Sequence, residues 1–532
     1  FVASGKRTYQ DLYNEVVSIA NHLLHLGVKK GDKVAILSAN MPNWGITQFA
    51  IANIGAIAVP VLPGFCSTEL QNILEHAEVK VIFVSRLLAK CLEGVKTPFL
   101  EHKILINNFS TIPEGCYQPE ELDKLVPDIS LNNTTPLPEV PIEEEDIASI
   151  IYTSGTTGFS KGVVLTHKNL VWDARQCHTI QPVDETYRFL SILPMAHTYE
   201  NTLGLLLPLM FGAQVYYLDR VPTPKLLVPA MQKIRPTVVL SVPLIIEKIY
   251  KSQVLPKFTS SKLMSKLYQF APARKLFNRL AGKKLMETFG GELKFFGIGG
   301  SKLDGTVEQF LREAKFPYAI GYGLTETAPM AAGSNPSQTF LQGVGPVMEG
   351  VQIKINDPDK SGQGEIWIKG PNVMKGYYKR PELTAETFTE DGWFKTGDLG
   401  SFDKKNRLAI RGRIKTMILG ASGENIYPEE IESIINNFRF VNESLVVENS
   451  GKLVAMVHFN MEELEKQYQK LKDQAGNYKE KINDYIEEQK QELRDYVNAR
   501  VNNFSKLQLV LVQHEPFEKT PTHKIKRFLY CK

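Results

Sequence analysis

Between Tyr152 and Gly162 the chain reads Y-T-S-G-T-T-G-F-S-K-G. Thr153, Ser154, Gly155, Thr156, Thr157 and Gly158 are small hydroxylated residues and glycines, and Lys161 adds one positive charge. Glycines let a backbone turn tightly and approach a ligand, while hydroxyls and backbone N–H groups can wrap phosphate oxygens. The order is not the Walker form, in which the lysine precedes its hydroxyl residue. A Gly/Ser/Thr loop alone is often a surface turn. This order after the apolar run Ile147 to Tyr152 points instead to a phosphate loop.

Four further clusters carry chemistry. Gly321 to Thr327 reads G-Y-G-L-T-E-T. The face of Tyr322 can stack on a flat base, the Thr325 hydroxyl can donate to a phosphate, and the Glu326 carboxylate can hold Mg²⁺. By itself the stretch is a turn with a surface acid. Asp391 to Asp398, D-G-W-F-K-T-G-D, ends in a carboxylate able to accept from both hydroxyls of a ribose, or is a polar turn between strands. Arg411 to Glu430 carries R-G-R-I-K-T-M-I-L-G-A-S-G-E-N-I-Y-P-E-E, and Lys519 to Arg527 carries K-T-P-T-H-K-I-K-R, which alone is a solvated basic tail. His197 lies in an apolar run, where a lone histidine is often a satisfied core residue.

These groups must be held by an α/β scaffold. Thr8 and Asp11 are spaced as a capping box opening an amphipathic helix through Leu26. A strand at Lys33 to Leu37, a helix near Trp44 to Ile54 and a strand at Ala56 to Pro60 give the rhythm of parallel β-α-β units. Apolar runs at Val81 to Val84, Val215 to Leu218, Val238 to Ser241 and Lys294 to Ile298 read as buried strands. From Gly343 to Lys369 the pattern turns to strands and glycine turns, which predicts a smaller antiparallel region. Beyond a boundary near Gly412 to Lys415 the spacing predicts a helix from Pro428 and a strand pair at Ser444 to Val447 and Leu453 to Phe459. Met461 to Phe504 reads as one long, mostly solvated helix.

At 532 residues the chain is too long for one core. A net charge of +4 argues against a general nucleic-acid binder. Five scattered cysteines with no C-x-x-C pair argue against a zinc site or disulfide framework and for a reducing cytoplasm. No stretch reaches the roughly 18 apolar residues of a spanning helix. The chain opens on Phe1, which predicts a missing N-terminal piece. Lys248 to Lys284 holds ten Lys/Arg and no Asp or Glu, interleaved with Leu, Phe, Tyr and Met. Such a segment is either a solvated helical pair or a contact for an anionic membrane.

The five clusters, in this order, closely resemble those of the acyl-adenylate-forming (AMP-binding) superfamily, which includes acyl-CoA synthetases, firefly luciferase and peptide-synthetase adenylation domains. The resemblance runs from Leu12 to Arg527. Within the superfamily the chain looks most like long-chain fatty acid–CoA ligases, through L-P-M-A-H-T-Y-E (Leu193 to Glu200), Y-Y-K-R-P-E-L-T (Tyr377 to Thr384) and the ending T-P-T-H-K-I-K-R. It implies a large N-terminal domain of layered α/β sheets with a β-rich subdomain (1–412), a hinge (413–415) and a small mobile α+β C-terminal domain (416–532). ATP, Mg²⁺ and CoA are the implied cofactors and substrates. The implied reaction activates a long-chain fatty acid as acyl-adenylate and passes it to CoA, releasing AMP and pyrophosphate. Rival readings are transfer to an acyl carrier protein, arrest at the acyl-adenylate, or a non-catalytic sensor. The implied location is cytoplasmic, or peripheral on the inner face of a membrane through Lys248 to Lys284.

Residue by residue, the resemblance puts Thr153, Ser154, Gly155, Thr156, Thr157, Gly158 and Lys161 on the β- and γ-phosphates. Tyr322, between Gly321 and Gly323, would stack on adenine beside Gly299, Gly300 and Ser301. Thr325 would face the α-phosphate, with Glu326 and Thr153 at Mg²⁺. Asp398 and Arg413 would hold the ribose, Lys415 would be the hinge, and Lys524 would bridge carboxylate and α-phosphate. His197 would border the acyl carboxylate, and Ser422, Gly423 and Glu424 would swing in for the thioester step. Three positions depart from the pattern: Ser160 stands where proline is usual, Thr416 where Asp is frequent, and Asn201 where one branch carries a tryptophan gate. Gating must therefore differ here.

Overall fold

The computed structural model describes residues 5–65, 67–131, 135–153, 160–220, 222–259, 261–419, 425–449, 451–471, 478–520 and 524–531. The Ser154–Phe159 part of the phosphate loop, Ser422, Gly423 and Glu424 therefore lie outside the described residues. The first helix, Tyr9–His25, begins as its sequence requires. Thr8 accepts from the Asp11 backbone N–H, and Asp11 reaches back to the Thr8 N–H at 2.8 Å.

Two sheets dominate. An eight-stranded sheet is ordered Gly376–Tyr377, Lys161–Thr166, Ile147–Thr153, Ile57–Val61, Lys33–Leu37, Val79–Val84, His102–Leu105, Ser110–Thr111. A six-stranded sheet is ordered Met330–Gly333, Tyr318–Gly323, Phe295–Ile298, Val238–Ser241, Arg188–Ser191, Gln214–Tyr217. Their central strands pair parallel and are buried on both faces, which is why they read as unbroken apolar runs. Each sheet organises its own core, and Asn40 joins the two by donating to Ser191 Oγ and the Leu193 carbonyl. The antiparallel region expected after Gly343 is a four-stranded sheet of Gln352–Asn356, Gly364–Lys369, Phe394–Phe402 and Leu408–Arg413.

After Arg413 the chain builds a third core on a three-stranded sheet of Val441–Asn449, Lys452–Phe459 and Leu509–Val512. The helix Pro428–Ile435 covers it with Ile431 and Ile435. Of the long helix expected over Met461 to Phe504, the described residues are helical over Met461–Leu471 and Tyr478–Asn498, so the helix ends short of Phe504. It is also less solvated than its composition suggests. Leu464, Leu493 and Val497 are buried, because an i, i+4 apolar pair suffices to seat one face on the sheet. No helix among the described residues is long and apolar enough to cross a membrane.

Candidate active site

The strands Ile147–Thr153 and Lys161–Thr166 form an antiparallel hairpin in which Thr153 lies opposite Lys161. That register returns Lys161 to the end of the strand that leads into the expected phosphate loop. The Lys161 ammonium sits 5.0 Å from the centre of the Tyr377 ring, and the Tyr377 hydroxyl donates to Glu326 Oε1 at 2.9 Å. Burial lowers the Lys161 ammonium from its ordinary value, with nearby Lys415 acting in the same direction and Glu326 opposing. Glu326 is carried by a short turn, Thr325–Thr327, anchored where the Met374 N–H donates to the Glu326 carbonyl at 2.8 Å. Tyr377 lies in the Y-Y-K-R-P-E-L-T stretch, yet its bond to a residue 51 positions away has no sequence signal.

The strand Tyr318–Gly323 delivers Tyr322, whose hydroxyl donates to Asp398 Oδ2 at 2.9 Å. Asp398 and Arg413 face each other across neighbouring strands, with Arg413 Nε 2.9 Å from Asp398 Oδ1. Burial pushes the Asp398 carboxyl up, while Arg413, the Tyr322 hydroxyl and Lys524 pull it down. The carboxylate in turn raises Arg413. Gly299, Gly300 and Ser301 follow the strand Phe295–Ile298 directly. Gly300 has φ +89°, a left-handed conformation suited to glycine.

Lys524 arrives from the C-terminal segment, whose Ile525 and Tyr530 pack with Phe517 against Leu445, Val447 and Val454 of the three-stranded sheet, in a cluster separate from the third core. Its backbone is fixed by a turn in which Thr520 N–H donates to the Lys524 carbonyl at 2.8 Å. Protein atoms crowd the side chain although solvent still reaches it, as for a group on the wall of a cleft. Desolvation and Arg413 lower the ammonium, against the pull of Asp398 and Glu326. On the other wall, His197 caps the short helix Thr198–Glu200, its Nδ1 accepting from the Tyr199 N–H at 3.2 Å. Nδ1 therefore carries no proton in the neutral ring. Burial, and secondarily the Lys524 charge, push the imidazole down to about 4. Neutral at ordinary pH, His197 faces the lysine without repelling it.

A small apolar cavity of about 50 Å³ comes close to this cluster at Gly321, the neighbour of Tyr322. Cys177, Phe189, Tyr199, Leu203, Gly297 and Met330 are among its walls. Tyr199 lines the cavity and also lies against Gly299, where a Cβ would come within 3.3 Å of its ring. Tyr199, Met330 and Gly297 were not singled out by sequence, which marked only the motif around them. Asn201 is buried away from the cavity in a reciprocal amide pair with Gln48, at 2.7 and 3.2 Å. Glu200 is buried, and burial raises its carboxyl to about 8.

Thus Lys161, Glu326, Tyr322, Asp398, Arg413, His197 and Lys524, far apart in sequence, converge in one interacting cluster, and Gly321 beside Tyr322 lines the apolar cavity. Lys161, Arg413 and Lys524 act there on Glu326 and Asp398, with Lys415 near Lys161, and the carboxylates of Glu386 and Glu429 also act on the cluster.

Known proteins are similar to this chain. "Fatty acyl-CoA synthetase A" of Dictyostelium discoideum is 26% identical, the match covering 99% of this chain and 85% of that protein. "Long chain acyl-CoA synthetase 6, peroxisomal" of Arabidopsis thaliana is 29% identical over 98% of this chain and 79% of its own. The crystal structure of an ATP-bound RpMatB-BxBclM chimera shares the fold, with a TM-score of 0.76 and 24% identity over 99% of this chain and 94% of that one. The model of the AMP-binding enzyme family matches residues 1–378, well over half of the sequence, and the chain belongs to that family.

Proposed function

We propose that this protein is an AMP-forming long-chain fatty acid–CoA ligase. The observation that carries this reading is the junction of a charged cluster with an apolar cavity. Lys524, Arg413, Asp398 and Glu326 act on one another, Asp398 accepts from Tyr322, and the neighbouring Gly321 lines the pocket. A carboxylate is a poor electrophile, so it must first be given a better leaving group. In the first half-reaction the fatty acid lies in the cavity with its carboxylate toward Lys524 and His197. The ammonium of Lys524 draws the carboxylate and the α-phosphate of ATP together against their mutual repulsion. Catalysis here is positioning and charge neutralisation.

Tyr322 offers the adenine a ring held by its own bond to Asp398, and Asp398 with Arg413 takes the ribose hydroxyls. Thr153 and Lys161 flank the triphosphate, together with Ser154 to Gly158. Glu326, positioned by Tyr377, with Thr153 would hold Mg²⁺, which neutralises phosphate charge when bound. Acyl-adenylate forms and pyrophosphate leaves. In the second half-reaction the thiol of CoA attacks the acyl carbon and expels AMP. Serving two nucleophiles requires the unit 416–532 to rotate about 413–415 relative to 1–412, bringing Ser422 to Glu424 inward.

Membrane contact belongs to the same proposal. Residues 248–284 fold into helices whose outer surface shows Leu263, Phe270, Leu276 and Leu280, each 58–70% exposed, among Lys275, Arg279, Lys283 and Lys284. An anionic bilayer, the source of a water-insoluble acid, suits that chemistry. Cosedimentation with phosphatidylserine vesicles should weaken with salt and on Leu276→Glu/Leu280→Glu. Insensitivity to both removes this clause.

The deciding assay measures product from fatty acids of increasing length with CoA and acyl carrier protein as competing acceptors. Preference for long acids and CoA is expected. A preference for the carrier protein moves the proposal to its rival, and a peak at acetate or an aromatic acid ends the long-chain reading.

A further inference from the structure

Lys524 reaches the cleft from the C-terminal unit, so something must hold that unit in place. Three residues beyond it, the Arg527 guanidinium pairs with Glu432 and lies 3.7 Å from Glu429, and its Nη1 donates to the Val446 carbonyl at 3.3 Å. Glu429 and Glu432 sit on the helix Pro428–Ile435. A neighbouring face of that helix, continued by the turn after it, presents Glu430, Ser433 and Asn437. All three contact the large N-terminal unit. Glu430 pairs with Lys302 at 3.2 Å, a partly exposed contact of small weight. Ser433 Oγ donates to Asp304 Oδ2 at 3.1 Å, and Asn437 Nδ2 donates to the same oxygen.

Asp304 is well placed to bear this. Only 8% exposed, it uses its other oxygen to cap the helix Gly305–Glu313, accepting from Thr306 and Val307 N–H at 2.8 and 3.0 Å. Its own N–H donates to Glu247 at 3.0 Å. One carboxylate is thus a rigid part of the N-terminal unit and an acceptor for the C-terminal one. It also stands three residues after Ser301, in the segment that begins with the Gly299–Gly300–Ser301 turn.

We propose that Asp304 is a positioning residue for Lys524. Through Ser433 and Asn437 it latches the Pro428–Ile435 helix, which holds Arg527 and so keeps Lys524 beside Asp398 and Glu326. The latch is built on the segment that follows the turn expected beside adenine, so nucleotide binding and the placement of the lysine are coupled. The inference rests on reading Lys524 as the adenylation lysine. Because the second half-reaction needs the C-terminal unit elsewhere, the latch must open between steps and favours only the first.

The test leaves Asp304 and its helix cap intact. In the full-length protein, Ser433→Ala/Asn437→Ala should slow fatty-acid-dependent pyrophosphate exchange about tenfold or more, since two hydrogen bonds to a charged acceptor are lost. Thioester formation from supplied acyl-adenylate should be unchanged or faster. Asn437→Asp sets a carboxylate against Asp304, so its exchange rate, relative to wild type, should recover as pH falls and the new carboxyl is protonated, as a purely structural lesion would not. Equal loss of both half-reactions, or no loss in either, overturns the latch. Lys524→Ala run beside these variants separates the two ideas. If it leaves exchange intact, the reading of Lys524 fails; if it abolishes exchange while the latch variants are normal, the latch alone fails.

Discussion

Gly297→Val tests whether the apolar cavity holds the acyl chain. Gly297 lies in the buried strand Phe295–Ile298 and lines the cavity. A Cβ there would come 2.8 Å from the Tyr199 hydroxyl and from Phe295 Cε1, and 3.1 Å from Leu240 Cδ2. All three are ends of side chains, so they can shift, at a strain of about 1–3 kcal/mol in stability. The valine side chain takes the room of about three methylenes. At roughly 0.8 kcal/mol each, acids long enough to reach Gly297 lose about 2.4 kcal/mol, or about sixtyfold in kcat/KM. Shorter acids lose almost nothing, so the chain-length optimum moves down. The assay is acyl-CoA formation with a homologous series of straight-chain acids, alongside a thermal melt. An equal fractional loss at every length, in a variant that melts like the parent, would refute the reasoning. So would an unchanged profile.

Lys524→Ala should reduce pyrophosphate exchange by about a hundredfold or more while sparing thioester formation from supplied acyl-adenylate; normal exchange contradicts the assignment. Tyr377→Phe removes the 2.9 Å donor that orients Glu326, so the Mg²⁺ concentration for half-maximal activity should rise, and an unmoved value removes that role. His197 gives a signed pH effect. Its folded-state pKa of about 4 lies below the ordinary 6.5, so the unfolded chain binds the extra proton, and stability is lost as pH falls from about 6.5 to about 4. Melting temperatures of His197→Gln should lose this slope relative to the parent; the same slope in both proteins assigns it to another group.

Local signals were legible in the sequence. The Thr8–Asp11 capping box, the buried strands and the antiparallel region after Gly343 were readable because propensity, burial and turn chemistry agree there. The clusters could be recognised because each keeps its reactive residues close together in the sequence. What could not be read depends on partners distant in the chain. Tyr377 to Glu326, Asn201 to Gln48 and Asp304 to Asn437 join residues 51, 153 and 133 positions apart. The burial of one face of the Met461 to Phe504 segment was hidden by its polar composition. Its few apolar residues count for more than their number, because three of them are fully enclosed by the third core.

The third core also has a spectroscopic consequence. The four tryptophans are Trp44, Trp172, Trp367 and Trp393, all before Arg413, and Trp44 is fully buried in the first sheet's core. Intrinsic tryptophan emission therefore follows the N-terminal part of the molecule and is silent about the third core, whose three-stranded sheet also supports the Lys524 segment. A single reporter introduced as Phe438→Trp, where the native ring packs 5.4 Å from Tyr496, would give that core its own signal. One denaturant titration of the two proteins would then show whether the third core melts with the rest of the chain or ahead of it.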